Sequence, residues 1–432
     1  MSDRRHRVVI VGAGFGGLAA ARALADAPVD VVLVDARNHH TFQPLLYQVA
    51  TAGLDGDDVC YAVRGIVSRQ RNVDVRLGRV TGVDLDAREL ALGDGSALAY
   101  DHLVIAAGAV TNDFGVPGVA EHAFGMKSLE DAMAIRTHVL LQFERADARP
   151  ELVDEGALTI VIAGGGPTGV ELAGGMAELF HSVLHKDFPQ IDTRRARVVL
   201  VEATDRLLST FAPRLGEDAR NTLERRGVEV LVDTAVAEVT GDEVRFADGR
   251  RVRAATMIWA AGVKAHPLGA TMGVEMTKGG RVVTQPDLSV PGHPEVFVVG
   301  DLAGTLGPDG ALLPQVAPVA MQGARHAAAQ IEASLRGQRT KPFRYVDKGS
   351  MATIGRREAV AELPGGVQLT GTVGWLAWLA LHLVMLIGFR NRANVLVNWA
   401  WNYFTYDRGS RIISGSERVP PTRPPDVDAA GH

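Results

Sequence analysis

Two glycine turns carry the chemistry this chain can do. Gly12-Ala13-Gly14-Phe15-Gly16-Gly17 stands between four apolar residues, Val8–Val11, and an Ala/Leu-rich stretch, Leu18–Ala25. That context predicts strand, turn and helix. Gly12 permits the turn, Gly14 lets the backbone approach a pyrophosphate, and Gly17 lets the helix close on the strand. Free N–H groups and the positive end of the helix dipole then meet the phosphates. Asp35 lies 23 residues after Gly12 and closes a second apolar run, Val31–Val34. A carboxylate at that spacing accepts hydrogen bonds from a ribose. The second turn, Gly164-Gly165-Gly166-Pro167-Thr168-Gly169, follows the apolar run Leu158–Ile162, with Gly164, Gly166 and Gly169 in the same three roles. Its acid, Glu202, comes 38 residues after Gly164, beyond the usual ~20, and His181–Arg195 reads as an insertion. A carboxylate there favours a free 2′-hydroxyl, hence NADH over NADPH, and Arg206 nearby tempers that preference.

Other residues are placed for chemistry by the same pattern. Leu103–Ile105 runs into Ala106-Ala107-Gly108, and Met257–Trp259 into Ala260-Ala261-Gly262, so Ala107, Gly108 and Gly262 sit at matching strand ends. Val296–Val299 ends in Gly300-Asp301. Asp301 there can hydrogen-bond a ribityl chain, or simply cap a helix. Glu171, just inside the second helix, reads equally as a dipole-complementing acid or as a carboxylate handling a proton at a nicotinamide–flavin junction. Two dinucleotide sites in one chain suggest FAD and NADH facing each other, the protein's task being alignment. No metal set emerges: His181 and His185 have helical spacing but no third ligand, and an exposed pair is expected.

These turns need a scaffold, and the chain repeats it. Strand, glycine turn, helix, strand and acid occur twice, an internal duplication that predicts an α/β fold with two Rossmann-type domains. The chain has 432 residues, long enough for several cores. It carries 48 glycines, above the usual ~7%. A net charge of −5 argues against nucleic-acid affinity. The single cysteine, Cys60, excludes a disulfide within the chain or a dithiol redox pair. Arg4, Arg5 and Arg7 precede too short an apolar run for a signal peptide, so the protein is expected on the cytoplasmic face of any membrane.

The C-terminal part differs. An Ala-rich helix is expected over Ala317–Leu335, and then Gly371–Phe389 offers 19 residues with no acid, Lys or Arg. Trp375, Trp378, Trp399 and Trp401 sit where interfacial aromatics would, and Arg390, Arg392, Arg408 and Arg411 could meet anionic head groups. An in-plane membrane anchor is expected. A span and a buried helix or homodimer interface are the alternatives, and His382 mid-segment weighs against a span. The Pro-rich tail, 415–432, is expected to be disordered.

Longer stretches are more specific: VVIVGAGFGGL, HHTFQPLLYQVATAGL, VIAGGGPTGVELAGGMAEL, FVVGDLAG, APVAMQGARHAA, DKGSMATIGRREAV and GFRNRANVLVNWAWNYFTYDRG. Through them the chain resembles the type II NADH dehydrogenases, the single-chain NADH:quinone oxidoreductases of respiratory membranes, over about residues 7–414. The resemblance implies a glutathione reductase-like fold with FAD in the first domain and NADH in the second. It also implies C-terminal helices that lie on the membrane and open a path for quinone. It implies that the first glycine turn with Gly16, Asp35, Gln43, Pro44, Leu45, Leu46 and Asp301 surround FAD. Glu171 matches the family's carboxylate between the redox partners, Gln322 a glutamine near flavin and quinone, and Lys348 a lysine of the DKGSMATIGR-like stretch. Two departures are Pro318, which replaces a glutamine and its side-chain contact to quinone, and Asp35, which replaces the more usual glutamate.

The expected organisation is an FAD domain over 1–120 with 265–335, an NADH domain over 121–264, and a membrane-anchoring, quinone-access region over 336–414. The expected activity is hydride transfer from NADH to FAD and two electrons onward to menaquinone or ubiquinone, without proton pumping. The alternatives are a soluble NADH-dependent reductase of a ferredoxin-like protein and a redox-sensing flavoprotein.

Overall fold

A computed structural model describes residues 5–405 and 407–414; the expected disordered tail lies outside them. The central strand His6–Val11 pairs in parallel with Val29–Asp35 on one side and His102–Ile105 on the other. Val73–Leu77 and His293–Val298 extend the sheet outward, and Ser289–Val290 closes it antiparallel. The central strand is covered on both faces, Val8 and Ile10 by helices and Val9 and Val11 by the meander Val80–Ala99 and the turn at Leu268–Met272, so Val8, Val9 and Ile10 are fully buried and the strand needs no polar alternation. The chain reverses its direction of travel across the sheet between the central strand and His102–Ile105, the crevice where such sheets bind ligands. Helix α1 (Phe15–Ala23) begins there, two residues earlier at its end than the composition suggested and three earlier at its start. A short helix α2 (Leu46–Ala50) follows beneath the site.

A long helix, α3 (Leu129–Ala148), leads into the second sheet. Ser128 and Asp131 cap it reciprocally, each side chain accepting from the other's backbone N–H. The second sheet repeats the first: Thr159–Ala163 is central, Arg197–Val201 and Thr256–Trp259 flank it, and Val228–Leu231 and Ala123–Phe124 form the edges. Helix α4 (Pro167–Glu178) occupies the place of α1. Both halves also carry a three-stranded antiparallel meander before the last central-sheet strand, Val80–Ala99 in the first and Val236–Arg253 in the second. The duplication thus extends past the glycine turns.

The chain then returns to the first unit through α5 (Ala317–Leu335), which packs on α1. A three-stranded antiparallel sheet, Ser350–Thr370, lies against α4. Gly174 permits this contact, because a Cβ there would collide with the Ile354 carbonyl oxygen. Two final helices follow, α6 (Gly371–Met385) and α7 (Phe389–Thr405).

One alternative falls away and one expectation needs correction. The apolar segment ends its helix at Met385, and at 15 residues α6 reaches about 22 Å, short of the ~30 Å hydrocarbon core. Among the described residues no helix is long and apolar enough to cross a membrane. His181 is not on an exposed face: after α4 the helix widens into a π-turn, Leu179–Leu184, which rotates His181 inward, where burial lowers its proton affinity.

Candidate active site

The first glycine turn opens onto a cavity of about 550 Å³. A Cβ on Gly14 would meet no protein atom, whereas one on Gly17 would collide with the Gly12 carbonyl oxygen. Gly14 therefore leaves room for a ligand, and Gly17 packs helix on strand. Asp35 lies at the cavity edge with both carboxylate oxygens oriented by backbone donors, Ala13 N–H at 2.5 Å and Arg37 N–H at 2.7 Å. Gly12, Gly16, Gln43, Ala107 and Gly108 also line the cavity. Asp301 lines it too, and its carboxyl is largely buried without capping any helix. Burial pushes the Asp301 carboxyl up, with Lys127 and Arg281 opposing. An open glycine at a helix N-terminus, an oriented ribose-type acceptor and a second carboxylate in one cavity of this size suit an FAD molecule.

Leu45 and Pro44 do not line this cavity; Leu45 is fully buried in the core beneath it. His40 was not anticipated. It is buried in the cavity wall, its Nδ1 is 3.0 Å from the Ala13 carbonyl, and its Nε2 has no partner among the described residues. Burial lowers its proton affinity, so the neutral ring donates from Nδ1 and offers Nε2 as an acceptor. Lys127 was also missed. Its ammonium shares the cavity with Asp301, while its backbone N–H donates to the Asp131 capping carboxylate at 2.9 Å.

The second turn repeats the arrangement. A Cβ on Gly166 would meet nothing, and one on Gly169 would strike the Gly164 carbonyl. Glu202 accepts from Gly165 N–H at 2.6 Å, and from the Thr204 N–H at 2.8 Å and hydroxyl at 2.9 Å. The carboxylate is therefore fixed beside the second glycine turn despite its late place in the sequence. Arg206 donates to the Ser209 carbonyl at 3.1 Å. Gly262 ends its strand against the Phe114 ring.

Glu171 lies beyond the first turn of α4 and is buried, 8% exposed. Dipole complementation at a solvated helix start therefore does not describe it. One oxygen accepts from the Thr353 N–H at 3.3 Å. Burial raises the carboxyl to about 8, against the weaker pull of Thr353 and of the Trp378 indole N–H. The indole points at this carboxyl without completing a hydrogen bond to any described residue. Tyr47 of α2 packs its ring edge against Trp378 at 6.2 Å. His382 stacks on Trp378 at 4.1 Å and touches Phe42 edge-on at 6.1 Å. The structure does not bring Gln322 or Lys348 to the cavity. The Gln322 amide is paired both ways with the Val346 backbone, donating at 2.9 Å and accepting at 3.0 Å, and Lys348 is exposed.

The C-terminal helices are inverted relative to an ordinary surface helix. The inward face of α7 sets asparagines around the fully buried Val395. Asn391 donates to the carbonyls of Asp57, Asp58 and Cys60 at 2.9–3.1 Å, Asn398 to the Asp58 carboxylate at 3.0 Å, and Asn402 to the Gly53 carbonyl at 3.0 Å. The outward face is apolar: Phe389, Trp401 and Phe404 are 88%, 58% and 80% exposed. Val373, Leu376 and Val384 of α6 are exposed as well, contrary to the buried packing that a soluble reductase would require of this segment. Three of the four arginines expected to meet head groups are used internally. Arg408 is buried against Glu178, Arg411 pairs with Asp187 and Asp407, and Arg392 caps α6 through the Leu386 and Val384 carbonyls.

The model of the pyridine nucleotide-disulphide oxidoreductase family matches residues 6–324, and that of the NDH2 C-terminal domain matches residues 348–406. The chain is 42% identical to the type II NADH:quinone oxidoreductase Ndh of Mycobacterium tuberculosis, over 97% of this chain and 93% of that protein. It is 31% identical to the type II NADH:quinone oxidoreductase of Staphylococcus haemolyticus, over 84% of this chain and 91% of that one. In fold it is similar to NDH2 of Plasmodium falciparum, solved in complex with NADH. That match has a TM-score of 0.86 and 19% identity, and covers 95% of this chain and all of that one.

Proposed function

The chain belongs to the type II NADH:quinone oxidoreductases of the pyridine nucleotide-disulphide oxidoreductase family, and from that premise we propose how its residues divide the work. The protein is an oxidoreductase that uses FAD and NADH and reduces a quinone. FAD, when bound, would supply the chemistry of accepting a hydride from NADH and releasing an electron pair to quinone, one pair per turnover and without proton pumping. Gly14 and the α1 N-terminus receive its pyrophosphate, Asp35 its ribose and Asp301 its ribityl hydroxyls. Gly166, the α4 N-terminus and Glu202 receive NADH, and the fixed Glu202 carboxylate repels a 2′-phosphate. Residues 1–120 with 265–335 form the FAD unit, 121–264 the NADH unit, and 336–414 the membrane and quinone region.

Glu171 holds its proton at neutral pH and gives it to a quinone oxygen as the electron pair arrives. Its ordinary proton affinity would leave it ionised and unable to do so. The exposed apolar face of α6 and α7 seats the protein on the cytoplasmic surface of the membrane, where quinone resides. The single observation that carries this reading is the inversion of α7. A helix that spends its asparagines on the protein and turns Phe389, Trp401 and Phe404 outward is built for an apolar environment.

The test is anaerobic flavin absorbance on detergent-solubilised protein. NADH is expected to bleach the flavin promptly, and a short-chain menaquinone or ubiquinone analogue to restore it. Bleaching without recovery by either quinone would remove quinone as acceptor.

A further inference from the structure

A chain of hydrogen bonds runs from the outer helix to Glu171's neighbourhood. The Trp399 indole N–H of α7 donates to Gln48 Oε1 at 2.8 Å, and Gln48 Nε2 donates to the Tyr47 hydroxyl oxygen at 2.8 Å. The direction of this chain is fixed chemically. An indole can only donate, so the Gln48 amide must turn its oxygen to Trp399 and its nitrogen to Tyr47. The Tyr47 oxygen is thereby an acceptor, and its hydrogen must point elsewhere. It has no acceptor among the described residues. The phenol stands at the meeting of α2, α4 and α6, its ring on Trp378. Glu171 and Glu178 of α4 and Arg408 of the C-terminal segment are the charged groups that face it.

We propose that the Tyr47 hydroxyl donates a hydrogen bond to a quinone oxygen, in an orientation imposed by Trp399 through Gln48. This rests on the reading of the Glu171 side as the quinone-reducing side. The electron pair supplied by NADH through the flavin reduces the quinone, and its two oxygens take up two protons. Glu171 releases one proton, which solvent restores, and the hydrogen that NADH delivered with the electron pair supplies the other. Tyr47 keeps its own. Burial and the Glu171 charge hold its ionisation far above the physiological range, so it remains a donor throughout the cycle. A fixed donor aimed at the oxygen where charge develops stabilises that charge without reorganising. Trp399 is the positioning residue, and it sits on the helix that also presents the apolar outer face.

The experiment follows each half-reaction by stopped-flow flavin absorbance in wild type, Tyr47→Phe and Trp399→Phe. Tyr47→Phe is expected to leave bleaching by NADH within twofold and to slow recovery by a quinone analogue by roughly a hundred- to a thousandfold, the range for one oxyanion-type donor. Trp399→Phe should slow the same half by a smaller factor. Recovery with ferricyanide, which accepts single electrons and needs no hydrogen-bond donor, should be unchanged in both. That separates a donor from a damaged fold. Equal quinone recovery in wild type and Tyr47→Phe would overturn the proposal, as would equal slowing with ferricyanide. If wild type itself does not recover with quinone, the functional reading fails rather than the Tyr47 assignment.

Discussion

Arg408 and Glu178 form a buried ion pair, 3.3 Å apart, that ties the C-terminal segment to the helix bearing Glu171. Glu178 also meets Arg356 at 3.2 Å and Arg226 at 3.9 Å. Burial alone would raise this carboxyl; the three guanidiniums outweigh it and hold it ionised. Arg356 in turn donates to the carbonyls of Asn402 and Tyr403 at the end of α7. Removing the carboxylate leaves several buried cations uncompensated. Glu178→Gln should therefore cost about 3–5 kcal/mol. Thermal unfolding measures the loss, and limited proteolysis should show cleavage first within or after α7. A melting point unchanged within a degree would contradict the linchpin role.

Glu171 makes stability and turnover depend on pH in a defined window. In the unfolded chain its carboxyl ionises near the ordinary 4.5, whereas in the fold it holds its proton to about 8. Between those values the native state binds more protons than the unfolded one, so stability falls as pH rises through the window. By pH 8 the cost reaches on the order of 4–5 kcal/mol, as an upper bound. Glu171→Gln should remove this slope from the pH dependence of urea unfolding. The quinone half-reaction of wild type should also decline above about pH 8, as the acid form is lost, and the variant should show a slower but flat profile.

The membrane contact should be apolar rather than electrostatic. Of the four arginines near the end of the chain, Arg408 and Arg411 are ion-paired and Arg392 is hydrogen-bonded to the end of α6, which leaves Arg390 as the exposed one with neither kind of side-chain partner among the described residues. Phe389, Trp401 and Phe404 offer large exposed side chains, each worth about 1.5–3 kcal/mol when fully buried. The double variant Trp401→Ser, Phe404→Ser should lower partition onto vesicles at least tenfold in a flotation assay. Raising salt or replacing anionic lipid by neutral lipid should change it little. A steep salt dependence would point instead to a basic surface.

Nucleotide preference should rest on Glu202. Its three protein donors already fix the carboxylate, so it cannot swing aside for a 2′-phosphate. Glu202→Ala should raise kcat/KM for NADPH relative to NADH by roughly tenfold or more, through lost repulsion and a lost hydrogen bond of about 1 kcal/mol. The ratio of initial rates with the two nucleotides measures it, and an unchanged ratio would move the discrimination elsewhere.

What could be read from the sequence was what is local. The glycine turns, Asp35, Glu202 and the extent of α5 follow from residues within a few turns of one another. The apolar segment Gly371–Phe389 stands out by composition, but where its helix stops does not: the backbone turns extended at Leu386, and Gly388 adopts positive φ before α7 begins. The roles of the arginines were not legible. Arg408 and Arg411 look like any basic cluster in sequence; only the fold brings Glu178 and Asp187 to them. The Trp399–Gln48–Tyr47 chain joins residues some 350 positions apart, and nothing in either stretch announces the other. Asn391, Asn398 and Asn402 give an ordinary amphipathic spacing, and periodicity alone cannot say that the polar stripe faces inward. The pairing of the Gln322 amide with the Val346 backbone, 24 positions on, was equally silent in the motif that carries it.

The two faces of the first glycine turn should fail differently. Gly14 has φ −73°, which alanine adopts freely, and its added Cβ would meet no protein atom. Gly17 has no such room, because the Gly12 carbonyl oxygen occupies the place of a Cβ. Gly14→Ala should therefore fold with a melting point close to that of the cofactor-free wild type, and yet purify with little FAD, since the methyl group takes space meant for the pyrophosphate. Gly17→Ala must push helix from strand, at a cost of about 1–3 kcal/mol or more for overpacking. It should lower the melting point of the cofactor-free protein directly. Flavin content by absorbance and melting by circular dichroism separate the two. The same contrast is expected at Gly166 and Gly169, read there by NADH affinity, because those positions repeat the open and closed geometry. A Gly14→Ala protein that retained a full complement of FAD would show that the cofactor's pyrophosphate lies away from this turn.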